Sequence, residues 1–138
     1  MLKPWNFMFW VKAKKILAVD DEPNVLIMIR KILELFGYNV ITASSGSDAL
    51  NVVESVKPDL IILDINMPGL DGIAVLEKLK GNFLTQHIPV IFLTANYIKP
   101  EHAIVRKAAD YLTKPFSRKD LLNSIEKAFY SAKHNKKI

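Results

Sequence analysis

Five polar residues follow four of the short apolar runs of this 138-residue chain. Asp20 and Asp21 come after the first run, and Asp64 comes after the third. Thr94 follows the fourth run and Lys114 follows the fifth. Carboxylates suit a hard cation, while an ammonium and a hydroxyl suit phosphoryl oxygens. If the fold brings these residues together, their types predict metal-dependent phosphoryl chemistry.

Three carboxylates at one point repel one another, since each close like-charge pair costs about 4 kcal/mol at an effective dielectric near 20. Such a cluster needs a cation. The chain offers oxygen ligands there, with no cysteine anywhere and no histidine nearby, which favours Mg²⁺. One carboxylate would remain free to attack phosphorus and form an acyl phosphate. The added charge would be met by the metal, by Lys114 and by Thr94.

The elements that must position these residues alternate between apolar runs and helical patterns. The predicted strands are 15–19, 38–43, 60–63, 89–93 and 109–113. The predicted helices are 24–36, 45–56, 72–80, about 99–108 and 118–133. This alternation favours an α/β fold, a doubly wound five-stranded parallel sheet with five helices on its two faces. In the strand order 2-1-3-4-5, the strand ends that carry the polar residues share one edge, where ligands bind.

The helical patterns carry their own start and stop signals. Pro23 suits the first turn of the first helix and Gly37 suits its C-terminal cap. Ser117 is the predicted N-cap of the last helix, with Asp120 in its first turn. The predicted buried face of the first helix holds Val25, Ile29, Ile32 and Phe36.

Composition limits the broader function. The formal net charge is +5, but the lysines are dispersed, so we expect no direct nucleic-acid binding by this domain. No apolar stretch is long enough to span a membrane, and the absence of cysteine suits the cytoplasm. We expect the domain at 15–133 and a basic tail at 134–138. Residues 1–14 form an aromatic extension that either packs on the domain or contacts a partner or a membrane surface.

Four motifs together resemble the response-regulator receiver domain of two-component signal transduction. They are VDDE (19–22), LDINMPGLDG (63–72), LTA (93–95) and DYLTKPF (110–116), in order and on the expected elements. The resemblance covers roughly residues 15–133. It implies the flavodoxin-like fold of the chemotaxis response regulator and a phosphoprotein that works in a phosphorelay.

The resemblance also implies the roles of the acidic residues. Asp64 matches the phospho-acceptor. Asp20 and Asp21 match the acidic pair that holds Mg²⁺ together with Asp64, and the backbone carbonyl of Asn66 would add a further ligand.

Other matched positions concern the response to phosphorylation. Thr94 matches the switch hydroxyl, Lys114 matches the lysine that pairs with phosphate, and Tyr111 matches the aromatic residue that changes rotamer. The Lys114–Pro115 peptide bond is expected to be cis. The interval from Thr94 to Lys114 is slightly shorter than is usual in the family, and the shortfall falls in the fourth predicted helix or its loops.

The resemblance implies a switch and not an enzyme with an outside product, although the chain would catalyse its own phosphorylation and dephosphorylation. A histidine kinase or phosphotransfer protein would be the donor. A downstream protein or an effector domain, and a phosphorylation-dependent homodimer, are the implied outputs. A receiver-like scaffold that acts by binding alone is an alternative. A haloacid-dehalogenase-type phosphatase is another, but Asn66 and Pro68 stand where that family has Asp and Thr.

Overall fold

A computed structural model describes residues 13–95 and 106–135 of the chain. Strands and helices alternate along the described ranges: β1 Lys15–Val19, α1 Pro23–Leu35, β2 Asn39–Ala43, α2 Gly46–Val56, β3 Leu60–Asp64, α3 Gly72–Lys80, β4 Val90–Thr94, β5 Asp110–Thr113 and α4 Arg118–Asn135. Most of the predicted helix at about 99–108 lies outside the described residues, and its last part, Arg106 and Lys107, lies in a 3-10 turn. The predicted extension is described only from residue 13 onward, and the basic tail only as far as residue 135.

The five strands form one parallel sheet in the order β2-β1-β3-β4-β5, as predicted. Val19 at the end of β1 pairs with Ala43 of β2 on one side and with Leu63 of β3 on the other. Strands β3 and β4 are buried along their whole length, which explains why their sequences are almost uninterrupted apolar runs. The observed order places the ends of β1 and β3 side by side.

Alternate residues of each strand supply two separate cores, one on each face of the sheet. Leu17 and Val19 belong to the core that α2 and α3 cover. Ile16 and Ala18 belong to the core that α1 and α4 cover. The sheet is therefore held rigidly from both sides, and its carboxyl edge is a fixed platform for the polar residues that follow the strands.

The predicted buried face of α1 is wrong at one position. Ile29 and Leu33 are the fully buried side chains of this helix, whereas Phe36 is 53% exposed. The helix ends at Leu35, and Gly37 adopts a positive φ of 87° that turns the chain toward β2. Phe36 therefore lies past the last helical turn and cannot reach the core.

Side-chain caps fix the starts of α2, α3 and α4, and at α3 the Asp71 side chain accepts a hydrogen bond from the Ala74 N–H. The Ser45 side chain accepts a hydrogen bond from the backbone N–H of Asp48 at the start of α2. At the start of α4, the Asp120 N–H donates to Ser117 Oγ (3.0 Å) while the Ser117 N–H donates to Asp120 Oδ2 (3.2 Å). This reciprocal pair satisfies two backbone donors, as a capping box does. None of the described helices is long and apolar enough to cross a membrane.

Candidate functional site

Asp20 is held at the end of β1 by both the sheet and the following turn. Its backbone N–H donates to Ala43 O (3.2 Å), which continues the pairing with β2 for one more residue. Its Oδ1 accepts from the Glu22 N–H (2.9 Å), an Asx-type turn that leads into Pro23 and α1. The side chain of Asp20 is fully buried, whereas Asp21 is exposed. The two neighbouring acids therefore face different environments.

Asp64 is the last residue of β3 and is only 2% exposed. Its Oδ1 accepts a long hydrogen bond from the Asn66 N–H (3.4 Å). The chain then returns so that the Gly72 N–H donates to Ile65 O (2.9 Å). A Cβ at position 72 would overlap the backbone carbonyl oxygen of Asp64. The glycine is thus required for the close packing that fixes the strand end bearing Asp64.

The three carboxylates converge as the sequence predicts. Asp20, Asp21 and Asp64 each offer one oxygen, and these oxygens lie within 4.8 Å of one another. Asp20 Oδ2 is buried, and among the described residues its polar contact is the Lys114 ammonium at 2.8 Å. An oxygen-only site of this kind fits a hard cation such as Mg²⁺.

In the described part of the chain, Lys114 is the one residue whose ammonium contacts this cluster. Its backbone N–H donates to Thr94 O (2.7 Å), which holds the residue just beyond β5. Its Nζ lies 2.8 Å from Asp20 Oδ2, 3.6 Å from Asp64 Oδ2 and 3.6 Å from Glu22 Oε1. The Lys114–Pro115 peptide bond is cis, the isomer expected from the resemblance. Lys114 is therefore shared by two buried carboxylates and one exposed carboxylate.

The electrostatics of the cluster favour proton binding at Asp64. Burial and then the neighbouring Asp20 raise the pKa of Asp64 from 3.8 to about 6, against the lowering effect of Lys114. Burial acts to lower the pKa of Lys114, but the hydrogen bond and charge of Asp20, with the charges of Asp64 and Glu22, raise it overall. The ammonium stays charged while the Asp64 carboxylate titrates at about pH 6.

The two predicted switch residues lie on the neighbouring strands. Thr94 ends β4 and is 5% exposed. Tyr111 of β5 is 40% exposed, and its ring stacks on that of Phe92 with 6.2 Å between centroids. Phe92 and Tyr111 are register partners, so the stack joins β4 to β5. The switch roles of Thr94 and Tyr111 remain predictions.

Sequence reasoning missed two polar contacts. The first is the contact of Glu22 Oε1 with Lys114 Nζ at 3.6 Å. The second contact links β5 to α4: Ser124 Oγ donates to Asp110 Oδ2 (2.7 Å), and Lys127 Nζ lies 3.4 Å from Asp110 Oδ1. Ser124 stands among the apolar residues of the buried face of α4, and a polar residue there was the available signal for a buried partner.

Comparison with known proteins agrees with this geometry. A family model described as the response regulator receiver domain matches residues 16–126. The alkaline phosphatase synthesis transcriptional regulatory protein PhoP of Bacillus subtilis is 44% identical over 110 residues, which cover 78% of this chain and 45% of PhoP. The phosphate regulon transcriptional regulatory protein PhoB of Pseudomonas aeruginosa is 41% identical over 112 residues, which cover 80% of this chain and 49% of PhoB. The chain thus spans about half the length of these curated relatives.

Solved structures show the same fold. The chemotaxis protein CheY4 of Vibrio cholerae matches with a TM-score of 0.80 at 28% identity, over 85% of this chain and 99% of CheY4. A putative response regulator from Chloroflexus aurantiacus matches with a TM-score of 0.77 at 34% identity, over 83% of this chain and 96% of that protein.

Proposed function

Because the chain belongs to the response regulator receiver domain family, we propose that it is a switch controlled by phosphorylation of Asp64. A histidine kinase or phosphotransfer protein donates the phosphoryl group, and the reaction depends on Mg²⁺. The observation that carries the proposal is the convergence of three carboxylate oxygens within 4.8 Å beside one ammonium. This arrangement joins a nucleophile, a cation site and a fixed counter-charge.

The donor set supports a divalent metal next to the acceptor. Asp20, Asp21 and Asp64 would hold the ion with their carboxylates, and the Asn66 backbone carbonyl would add a ligand. When bound, Mg²⁺ would neutralise carboxylate charge and polarise the phosphoryl oxygens. Its preference for a few carboxylates plus water and phosphate oxygens matches a site built from three acids.

The covalent step takes place at the carboxylate of Asp64. One carboxylate oxygen attacks phosphorus of a phosphohistidine, the new O–P bond forms, the P–N bond breaks, and its electron pair leaves on the imidazole nitrogen. With a pKa of about 6, Asp64 is largely ionised at neutral pH and competent as a nucleophile. Lys114 Nζ, 3.6 Å from Asp64 Oδ2, is placed to pair with the transferred phosphoryl oxygens. Attack of water on phosphorus would later release inorganic phosphate and restore the carboxylate, so the chain acts only on itself.

The new charge would be transmitted through the residues beside the acceptor. The Lys114 N–H donates to the Thr94 carbonyl oxygen, so the two residues are held together at the end of β4. Thr94 would turn its hydroxyl toward the phosphoryl group, and Tyr111 would repack. The surface that includes the predicted helix at about 99–108, β5 and α4 would then shift between two populations.

The output of this switch is part of the proposal. Relatives twice as long, such as PhoP and PhoB, are transcriptional regulators by name. We infer that this surface acts on a downstream protein, on an effector domain or on a second copy of the chain. We place the reaction in the cytoplasm, because a chain without cysteine is suited to a reducing compartment.

The test is acyl phosphate formation by the purified chain. We expect acetyl phosphate with Mg²⁺ to add one phosphoryl group to the intact protein, seen by mass spectrometry, and EDTA to prevent it. The Asp64→Asn variant keeps the side-chain shape and should gain none. Asp71→Asn is the matched control, because Asp71 lies in the same loop and Asn caps α3 equally well. A chain that gains no phosphoryl group under these conditions would leave the binding-only scaffold as the better account.

A further inference from the structure

A second cavity lies at the opposite edge of the sheet from the carboxylate cluster. Lys80 ends α3, Pro89 precedes β4 and Ala109 precedes β5, so all three stand at the amino edge. The cavity has a volume of about 490 Å³. Its lining includes Lys80, His87, Arg106, Lys107, Ala108 and Ala128.

The ammonium of Lys80 is fixed in the wall of this cavity. Its Nζ donates to Ile88 O (2.9 Å) and to Gln86 O (3.0 Å). These carbonyls hold the ammonium in place, and a lysine in the last turn also suits the helix dipole. They are neutral carbonyl oxygens, so neither supplies a negative charge to the Lys80 ammonium.

Three positive side chains line this cavity. Arg106 and Lys107 line the same cavity as Lys80, and no carboxylate is among the described residues that line it. Within the described ranges, none of these three side chains makes an ion pair. Burial, and then the charge of Lys107, lower the pKa of Lys80, which shows that the positive groups repel one another. An anion between them would relieve that repulsion.

The rest of the lining leaves room for such an anion. Small side chains, those of Ala108, Ala109, Ala128 and Ala132, form much of the remaining wall. The volume is within the range of small-molecule sites, roughly 300–1,000 Å³. An arginine fork together with lysine point charges is the combination that binds phosphate oxygens.

We propose that this cavity binds a small oligophosphate, with its linked phosphate groups held among Lys80, Arg106 and Lys107. The ligand is either a free oligophosphate or the phosphate tail of a nucleotide. This site is separate from Asp64 and does not depend on its phosphorylation.

The first test is calorimetric titration of the full chain with pyrophosphate, in EDTA at low ionic strength so that no metal bridges the carboxylates. We expect saturable binding that weakens as salt is added, with amide shifts centred on Ala108 and Ser131 in NMR spectra. The double variant Arg106→Ala/Lys107→Ala should lose about tenfold in affinity. Both residues are exposed, so the variant should fold normally. The matched control, Lys119→Ala, removes an exposed lysine at the start of α4 and should bind as the parent does.

A second titration separates the two sources of the ligand. Equal affinity for ATP and tripolyphosphate would assign the site to the phosphate chain alone, and tighter binding of ATP would assign it to a nucleotide. The proposal is overturned by an absence of saturable binding to pyrophosphate, by unchanged affinity in the double variant, or by an equal loss in Lys119→Ala.

Discussion

At the scale of single residues, the site depends on repulsion between buried carboxylates that the Lys114 ammonium only partly offsets. Asp20 and Asp64 are almost completely buried, and the charge of Asp20 disfavours ionisation of Asp64. Lys114 contacts both, but one ammonium does not neutralise two buried carboxylates and the exposed Glu22. The uncompensated charge is what makes the cluster receptive to a divalent cation and Asp64 sensitive to pH.

The raised pKa of Asp64 predicts a specific pH dependence of stability. The folded state holds the Asp64 proton up to about pH 6, whereas the unfolded carboxyl releases it near 3.8. The resulting stabilisation is complete below about pH 4 and is lost as pH rises through 6, by roughly 1–3 kcal/mol. We expect urea unfolding in EDTA to show Asp64→Asn gaining stability over the parent between pH 4 and 7 by that amount. Parallel pH profiles for the two proteins would contradict the assigned pKa.

Removing the Lys114 ammonium should show how much it stabilises the fold beside the buried carboxylates. In Lys114→Ala, Asp20 loses its partner at 2.8 Å, and we expect the free energy of unfolding in EDTA to fall by about 2–3 kcal/mol. Lys127→Ala breaks an exposed ion pair with Asp110 at 3.4 Å and should cost less than about 1 kcal/mol. Chemical denaturation of both variants measures the difference, and equal losses would show that Lys114 acts as an ordinary surface lysine.

At the scale of elements, the strand ends and the loops after them determine where the chemistry takes place. The end of β3 is packed against Gly72 so closely that no Cβ fits between them. The loop before α3 therefore locks the backbone of Asp64 instead of merely connecting two elements.

This packing predicts that Gly72→Ala is harmful. Overpacking against the Asp64 carbonyl should cost roughly 2–3 kcal/mol and should lower the rate of Asp64 phosphorylation, because the strand end must shift. The control is Gly81→Ala at the end of α3, where a Cβ would lie 3.2 Å from Glu77 O and φ is −83°. That change should stay within about 1 kcal/mol. Thermal unfolding and phosphorylation rates test both variants, and a neutral Gly72→Ala would refute the proposed packing.

Element types were predictable from the sequence because buried parallel strands and amphipathic helices have distinct periodicities. The strand β1 and the helix α3 were predicted to the residue, and the convergence of Asp20, Asp21 and Asp64 followed from strand order alone. The exposure of Phe36 was not predictable from periodicity, since it depends on where the helix stops. Sequence periodicity also does not show how far a side chain extends, and for this reason the contact of Glu22 with Lys114 was missed.

At the scale of the whole molecule, the two edges of the sheet carry clusters of opposite charge. Acidic residues gather at the carboxyl edge around Asp64, and Lys80, Arg106 and Lys107 gather around the cavity at the amino edge. A net charge of +5 conceals this separation. One edge is suited to a cation and the other to an anion.

Metal binding to the folded state alone should stabilise the molecule. We expect Mg²⁺ to raise the unfolding temperature, equivalent to about 2–3 kcal/mol when its free concentration reaches about 100 times Kd. Asp21→Asn removes one exposed carboxylate of the cluster and should abolish most of this gain, whereas Glu34→Gln on the exposed face of α1 should not. Equal stabilisation of all three proteins would place the metal elsewhere.

The most direct test of the central claim is to locate the acyl phosphate on the chain. Borohydride reduces an aspartyl phosphate to homoserine, which peptide mass spectrometry identifies at a single position. After treatment with acetyl phosphate and Mg²⁺, we predict homoserine at position 64 and at no other aspartate, and none when EDTA replaces the metal. Homoserine at Asp20 or Asp21, or none at any position, would contradict the assignment of Asp64 as the phospho-acceptor.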